Sequence, residues 1–202
     1  MSRLLKSVLS MAIVGAVSTS AMAADGTINF TGEIIAASCT VKPGNGGTST
    51  GGTAGKQTIN VELGKVSSDS LGTIGNVSSG KSINLDLDCG TTGKDLTTVK
   101  LTFDPANGSG LDTANNSLLK ITGPEGKTAT GVAIGLYDSN NKLLNLAANE
   151  TIDGKIETIS DGETPPKLTY KAKLDLRAGY VATGAVTPGI ANGTLPFTLT
   201  YQ

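Results

Sequence analysis

The sequence lacks histidine and tryptophan altogether, and aromatic residues make up only 3% of its 202 positions. Without histidine, the chain cannot supply a histidine-based catalytic triad, a histidine general base or the usual zinc ligands. The formal net charge is −1, so the chain has no excess of basic residues to attract nucleic acids or acidic lipid surfaces. We therefore expect no catalytic, cofactor-binding or metal site and no nucleic-acid partner.

Long hydrophobic runs are also scarce, and the clearest one lies at the N-terminus. Arg3 and Lys6 precede a mostly apolar run from Val8 to Val17, and residues 21–23 read Ala-Met-Ala. A transmembrane anchor is the alternative, but this run is shorter than the roughly 20 apolar residues that a span needs. Residues 1–23 are predicted to be a signal peptide with an A-x-A cleavage site. The mature chain would begin at Ala24 and is predicted to be exported without membrane insertion.

Cysteine occurs twice in the exported part, at Cys39 and Cys89. An even number of cysteines in an oxidising compartment favours one disulfide, here closing a loop of about 50 residues. The alternative is a nucleophilic thiol, which the chain has no histidine to activate. We therefore predict a Cys39–Cys89 disulfide.

Apolar and polar residues alternate with a period of two along most of the chain, as half-buried antiparallel strands require. About seven such runs in one exported chain are typical of a β-sandwich or barrel. Their apolar positions are Ile28 and Phe30; Ile59, Val61 and Leu63; Ile83, Leu85 and Leu87; Val99, Leu101 and Phe103; Val132, Ile134 and Leu136; Leu168, Tyr170, Ala172 and Leu174; and Leu195, Phe197, Leu199 and Tyr201.

Turn chemistry separates these runs. Residues 138–141 read Asp-Ser-Asn-Asn and predict a hairpin loop, since the Gly and downstream Glu of a calcium loop are absent. Residues 43–55 are rich in Gly, Ser and Thr without apolar periodicity, which predicts a mobile insertion inside the disulfide loop. Residues 66–80 are expected to hold at most a short helical turn.

Two blocks at opposite ends of the chain resemble the major-pilin family of chaperone–usher fimbriae. Residues 26–41 read GTINFTGEIIAASCTV, similar to the family's alternating strand, Gly, second strand and first Cys. Residues 180–192 read YVATGAVTPGIAN and resemble the family block Y-x-A-T-G-x-x-T-P-G-x-A-N. The chain then ends in an alternating strand with a penultimate Tyr201. The path through residues 63–66 and 83–89 to the second Cys is looser but similar.

The resemblance implies an all-β, immunoglobulin-like β-sandwich that is incomplete because it lacks its last strand. A donor strand from the next subunit would complete it. The implied division is a signal peptide at 1–23, a donor-strand extension at 24–32 and a pilin domain at 33–202. The Gly-rich insertion and the connection from Ile156 to Lys167 are longer than the family pattern. The extension before Phe30 is short, which leaves the donor register open.

The resemblance also assigns two sets of residues. The donor strand would carry Gly26, Ile28 and Phe30 on one face. The acceptor groove and C-terminal strand would comprise Gly189, Leu195, Phe197, Leu199 and Tyr201. The alternative is that residues 24–31 form the first strand of their own domain, although the run from Ile34 to Val41 can serve as that strand.

The implied function is that of a structural subunit of a surface fimbria used in adhesion. Its implied partners are identical or related pilin subunits, a periplasmic pilus chaperone and an outer-membrane usher of a Gram-negative bacterium. The alternatives are a minor adaptor or anchor pilin and a secreted carbohydrate-binding or hydrolytic β-sandwich. For an enzyme, Asp86 and Asp88 form a carboxylate pair, but i,i+2 spacing places both on the solvent face of a strand.

Overall fold

The computed structural model describes residues 39–50, 58–75, 77 and 80–202, all of which belong to one compact unit spanning residues 36–202. The predicted signal peptide (1–23) and the predicted donor segment (24–32) lie outside the described residues. The described part is almost entirely antiparallel β-structure. Its elements are β1 (Thr40–Pro43), β2 (Thr48–Thr50), β3 (Thr58–Asn60), α1 (Ser68–Leu71), β4 (Lys81–Gly90), β5 (Thr98–Phe103), β6 (Thr130–Tyr137), β7 (Ile152–Ser160), β8 (Leu168–Thr187) and β9 (Phe197–Tyr201), with 3₁₀ turns at Pro105–Asn107 and Leu146–Ala148.

Seven strands, β1 and β4–β9, form two sheets that share β7, and β2 and β3 pair separately. In the first sheet, β4 pairs with β1 on one side and with the long strand β8 on the other. The other edge of β8 pairs with β7 through residues 168–172 and with β6 through residues 177–187. In the second sheet, β5 lies between β7 and β9. Residues 152–155 of β7 pair with β5 and residues 156–160 pair with β8, so β7 passes from one sheet to the other.

The core lies between these sheets and is built by alternate residues of each strand. Leu87 of β4, Leu174 of β8 and Leu101 of β5 are each at most 2% exposed and belong to one contiguous apolar cluster. Burying side chains of this size stabilises the fold by about 1.5–3 kcal/mol each. Asp86 and Asp88 project to the opposite, exposed face of β4, as their spacing predicts.

The alternating runs predict β4, β5, β6, the first part of β8 and β9 at the positions where these strands occur. The short helix α1 also lies inside the predicted 66–80 segment. At residues 138–141 the structure has the predicted hairpin loop: the Asp138 carboxylate accepts hydrogen bonds from the backbone N–H groups of Asn140 and Lys142, both at 2.8 Å.

Two predictions about loops are wrong. The connection from Ile156 to Lys167 is not a long loop, because its first part belongs to β7 and pairs with β8. The Gly-rich segment is partly ordered as well: Thr48–Thr50 pairs with Thr58–Asn60 as a two-stranded ladder. Residues 51–55 of that segment lie outside the described residues.

A disulfide joins Cys39 to Cys89, confirming that prediction. Both residues are 3% exposed. Cys39 immediately precedes β1, and Cys89 lies near the end of β4, where Thr40 pairs with Asp88. The bond therefore ties the first described strand to its neighbour at one end of the sandwich. Among the described residues, no helix is long and apolar enough to span a bilayer.

Candidate strand-accepting groove

Strand β9 lies at the edge of the second sheet. It pairs with β5 over Phe197–Tyr201, and no described strand pairs with its other edge. An unpaired edge presents a row of backbone donors and acceptors that another strand can bind.

The ladder geometry identifies which backbone groups of β9 point to the open edge. Thr98 and Gln202 exchange N–H···O=C bonds of 2.9 Å and therefore form a hydrogen-bonded pair. In an antiparallel ladder such pairs alternate with non-bonded pairs, whose N–H and C=O groups point away from the partner strand. The residues of β9 in the non-bonded pairs are Phe197, Leu199 and Tyr201. Their backbone groups are thus directed to the open edge.

The same three residues turn their side chains toward the core. Phe197, Leu199 and Tyr201 are half-buried, whereas Thr198 and Thr200 between them are exposed. This is the alternation that the sequence predicts. It means that a strand added beside β9 would place its own inward side chains next to these three, because directly opposite residues share a face of the sheet.

Beside β9 lies a large groove with a volume of about 1060 Å³. Its lining is mostly aliphatic and draws on both sheets, including Leu85 of β4, Leu101 of β5, Leu136 of β6 and Leu176 of β8. Glu62 is the single charged residue among the described residues that line it, and its side chain is exposed. The groove therefore suits apolar side chains and disfavours charged ones. Of the predicted acceptor residues it contains Leu195, Phe197, Leu199 and Tyr201.

Residues 58–64 also line the groove. Ile59, Val61 and Leu63 are half-buried, and the residues between them are exposed. Beyond Asn60 this segment belongs to no described strand. The sequence predicts a strand here because the residues alternate, and the structure shows an apolar wall that, among the described residues, is paired only through β3.

The disulfide lies against the groove. Cys39 and Val41 are among its lining residues. Burial raises the pKa of the Tyr201 hydroxyl above its ordinary value, while an interaction with the Cys39 backbone opposes that rise. Tyr201 thus lies close to the Cys39 backbone, and the disulfide borders the groove.

The motif at residues 180–192 folds back on itself to shape another part of the lining. The Tyr180 hydroxyl donates a 2.9 Å hydrogen bond to the Ala191 carbonyl, and both residues line the groove. Asn192 exchanges backbone hydrogen bonds with Thr122, at 3.0 and 2.7 Å. These contacts fix the segment that leads into β9. Sequence reasoning missed the roles of Tyr180 and Thr122, although the presence of Tyr180 in the family block was a usable signal.

The structure places Gly189 outside the groove. A Cβ atom on Gly189 would lie 2.3 Å from the Ala129 nitrogen, closer than real atoms approach. Glycine at this position therefore permits close backbone packing against residues 128–129, and it does not line the groove with the other predicted acceptor residues. Gly26, Ile28 and Phe30 of the predicted donor strand lie outside the described residues.

Comparison with known proteins identifies the family. The family profile described as "Fimbrial protein" matches residues 28–202. The chain belongs to the fimbrial protein family. Together with the open edge beside β9, this confirms the predicted fold class, an all-β immunoglobulin-like sandwich that lacks a strand.

Relatives of this fimbrial protein are similar over nearly their whole lengths. It is 36% identical over 202 residues to "Long polar fimbria protein A" of Salmonella typhimurium, covering 98% of this chain and 97% of the relative. It is 29% identical over 197 residues to "Type-1 fimbrial protein, A chain" of Escherichia coli K12, covering 97% and 94%. The crystal structure of the P pilus rod subunit PapA matches at 23% identity and a TM-score of 0.48, covering 78% of this chain and 99% of that one.

The family profile and the relatives of known sequence give the protein the role of a structural subunit of a fimbria, a surface appendage of Gram-negative bacteria. The family is in general non-enzymatic, and neither the family profile nor the relatives described above support the alternative of a secreted carbohydrate-binding protein.

Proposed function

We propose that this fimbrial protein polymerises by donor-strand exchange: residues 24–32 of one subunit occupy the groove beside β9 of the next. The observation that carries the proposal is the coincidence of an unpaired strand edge with a large, mainly apolar groove in one subunit. Exposed together, these features favour aggregation of a monomer, and strand addition satisfies both at once.

The donor segment fits the groove by spacing and chemistry. Gly26, Ile28 and Phe30 recur every second residue, as do the β9 residues whose backbone groups face the open edge. Ile28 and Phe30 would bury apolar side chains in the groove. Gly26 would lie where the groove leaves no room for a side chain.

The assembly that follows is an open filament. The donor segment and the groove are different surfaces of one subunit, so the contact is heterologous and does not close on itself. The domain division is then a signal peptide at 1–23, a donor extension at 24–32 and a pilin domain at 33–202. The protein needs no catalytic residue for this role.

Transit through the periplasm requires that the groove be covered before assembly. We propose that a periplasmic chaperone lends a strand to the groove, and that an outer-membrane usher supports exchange for the donor segment of the next subunit. The names of the curated relatives favour a major subunit over a minor adaptor or anchor, since one of them is "Probable major fimbrial subunit LpfA" of Escherichia coli O157:H7.

The decisive experiment compares Phe30→Asp with Asn29→Asp in cells that carry the complete fimbrial system. Phe30 would enter the apolar groove, where burying an unpaired carboxylate costs on the order of several kcal/mol. Asn29 would face away from it. We expect Phe30→Asp to abolish surface filaments, counted by electron microscopy, and Asn29→Asp to leave them near the wild-type number.

The amount of subunit–chaperone complex in the periplasm is the folding control for both variants, because the chaperone would fill the groove with its own strand and residue 30 would not take part. The complex should persist for Phe30→Asp while filaments are lost. Normal filaments from Phe30→Asp would contradict the donor register, and equal losses from both variants would contradict the assignment of inward and outward faces.

A further inference from the structure

We propose that residues 159–168, the tip of the β7–β8 hairpin, form a second contact between neighbouring subunits of the filament. Their partner is a second copy of this chain, at a patch made of Ile190, Lys120 and Lys127. The inference rests on the proposed strand exchange, which brings the ends of successive subunits together. It goes beyond strand exchange because the hairpin tip and the patch belong neither to the donor segment nor to the groove lining.

The hairpin extends beyond the rest of the first sheet. The last pair between β8 and β4 joins Tyr170 to Gly90. On the other strand, β7 leaves β5 at Ile156, whose N–H donates to the Thr97 carbonyl at 2.9 Å. Beyond these positions β7 and β8 pair only with each other among the described residues. Two further ladder positions, at about 3.4 Å each, carry the hairpin roughly 7 Å past the sheet before its turn begins.

Both faces of the projecting hairpin are exposed to solvent. Residues 157–168 are exposed without exception, and they include Ile159 at 42% and Leu168 at 40%. Ile159 pairs with Thr169, and Leu168 pairs with Ser160. The two apolar side chains therefore lie on opposite faces of the hairpin, because directly opposite residues share a face. Only a partner from outside the domain can cover both.

The turn of the hairpin has a fixed shape. The Asp161 carboxylate accepts hydrogen bonds of 3.0 Å from the N–H groups of Glu163 and Lys167. The Asp161 N–H also donates to the Lys167 carbonyl at 3.2 Å. These bonds hold the tip in one arrangement, which reduces the conformational entropy that docking would cost. The Glu163 side chain is exposed in this turn.

The hairpin projects at the end of the sandwich where the donor segment joins the domain. We call this the disulfide end: Cys39 precedes β1 and is bonded to Cys89, next to the Gly90–Tyr170 pair where the hairpin leaves the sheet. Fully extended, the chain from residue 32 to Cys39 spans at most about 25 Å. In the proposed filament, the neighbour's groove therefore lies within that distance of the disulfide end.

A continuing filament requires the neighbour to receive the donor segment at its opposite end. If the groove were entered at the disulfide end, two disulfide ends would face each other. The second subunit would then direct its own donor segment back to the first, and the contact would close as a pair. An open filament needs giving and receiving surfaces at different ends. The groove must therefore be entered beside its lining residues 193–195, which precede β9.

The patch lies at this opposite end and is apolar and basic. Ile190 is 39% exposed, and its N–H donates to the Lys127 carbonyl at 2.7 Å. Lys120 borders the groove, since its carbonyl oxygen lies 3.7 Å from the Cβ position of the groove residue Gly193. Both lysines are exposed, and the exposed Glu125 between them in sequence offsets only one of the two charges.

The two surfaces complement each other in charge and in polarity. The tip carries Asp161 and Glu163 against the one cation Lys167, so its net charge is opposite to that of the patch. Opposite charges favour this pairing of ends over the pairing of two like ends. Ile190 supplies apolar area against the side chains that the hairpin exposes. The joint between subunits would then have two points of contact, the donor strand and the hairpin, which restricts bending.

Carbodiimide cross-linking of filaments sheared from cells tests the contact, because this reagent joins only carboxylates and amines that already touch. Within one subunit the tip and the patch lie at opposite ends of β8, a strand of 20 residues that at about 3.3 Å per residue keeps them far apart. A cross-linked peptide that joins Glu163 to Lys120 or Lys127 therefore reports two subunits. We expect peptide mass spectrometry to find it in filaments and not in the subunit–chaperone complex.

A double variant, Ile159→Ser with Leu168→Ser, removes the apolar part of the contact and leaves every cross-linking group in place. We expect the yield of the cross-linked peptide to fall about ten-fold, the factor that corresponds to about 1.4 kcal/mol. Filament number should stay near the wild-type value, because the donor segment and the groove are unchanged. Ile74→Ser is the matched control: Ile74 is 72% exposed but belongs to neither surface, so the yield should not change.

Three results would overturn the proposal: filaments that yield no peptide joining the tip to the patch, a tip that couples mainly to lysines elsewhere, as a contact between adjacent filaments would produce, or equal yields from the double variant and Ile74→Ser. Failure of strand exchange itself would be seen separately, as normal filaments from Phe30→Asp. The cross-link in wild-type filaments reports the docking of the hairpin in either case.

Discussion

Two glycines of the 180–192 motif meet different surroundings. A Cβ atom at Gly189 would lie 2.3 Å from the Ala129 nitrogen, whereas one at Gly184 would find its nearest neighbour, the Gly131 Cα, at an ordinary 3.7 Å. Only Gly189 is therefore required by close backbone approach. The sequence motif marks both glycines equally, because it records residue types and carries no information on which backbone lies opposite.

A pair of single substitutions tests this difference. Gly189→Ala forces backbone atoms apart and should lower the free energy of unfolding by about 1–3 kcal/mol, the usual cost of overpacking. Gly184→Ala adds a methyl group in permitted contact and should change it by less than about 1 kcal/mol. Urea unfolding of the chaperone-bound or strand-complemented subunit measures both. Equal destabilisation would contradict the packing account.

Alternation along β9 gives a second pair of residues with opposite roles. Leu199 faces the groove, and Thr200 is exposed on the other side of the sheet. Leu199→Asp should abolish filaments and also deplete the chaperone complex, because the donor segment and the chaperone strand are both proposed to occupy the groove. Thr200→Asp should leave both near wild-type levels. Immunoblots of periplasm and of sheared filaments separate these outcomes, and a stable chaperone complex with Leu199→Asp would argue that the groove is not the shared site.

At the scale of elements, alternation located the strands whose apolar positions are large and regular. Leu85 and Leu87 in β4 are examples, since burial of one face leaves that pattern in the sequence. Strand β7 was not predicted from the sequence. Its inward position between Ile152 and Ile156 is Gly154, so its buried apolar residues lie four positions apart. Such spacing carries no period-two signal. The strand also passes from one sheet to the other.

The candidate site was predictable in part for the same reason. The face of β9 follows from its sequence, whereas the wall of residues 58–64 and the Tyr180–Ala191 hydrogen bond depend on contacts between distant segments. Residue 189 shows the converse: position in a motif suggested a groove residue, and three-dimensional packing gave it another role.

The disulfide is the element-scale restraint with the clearest energetic prediction. It joins residues 50 positions apart and connects β1 to β4 beside the groove. Replacing both cysteines, as Cys39→Ala with Cys89→Ala, should lower the free energy of unfolding by about 4 kcal/mol on the chain-entropy model. Urea unfolding of a strand-complemented subunit measures it, with the reduced wild-type protein as control. A loss below about 1 kcal/mol would show that the bond is not a main source of stability.

At the scale of the whole molecule, the sandwich has a continuous core yet leaves the outer edge of β9 and a groove of about 1060 Å³ open among the described residues. Stability and assembly are therefore coupled. A strand that fills the groove would add both backbone hydrogen bonds and buried apolar area, so under the proposed strand exchange the subunit should be most stable as part of the filament.

Joining residues 24–32 to the C-terminus after Gln202 through a flexible linker tests this coupling in a single chain. The added segment should fill the groove of its own subunit, because the linker makes the contact intramolecular. Burying Ile28 and Phe30 contributes about 1.5–3 kcal/mol each. We expect this fusion to be a monomer that unfolds cooperatively, at a higher temperature than a subunit that carries no donor segment at all.

A matched fusion carrying Phe30→Asp in the added segment should lose most of that gain, since the carboxylate would have to enter the apolar groove. Size-exclusion chromatography and thermal unfolding of the two fusions measure the effect. If both fusions are equally stable, or if the subunit without any donor segment is already a cooperative monomer, the groove does not need a strand to complete the fold.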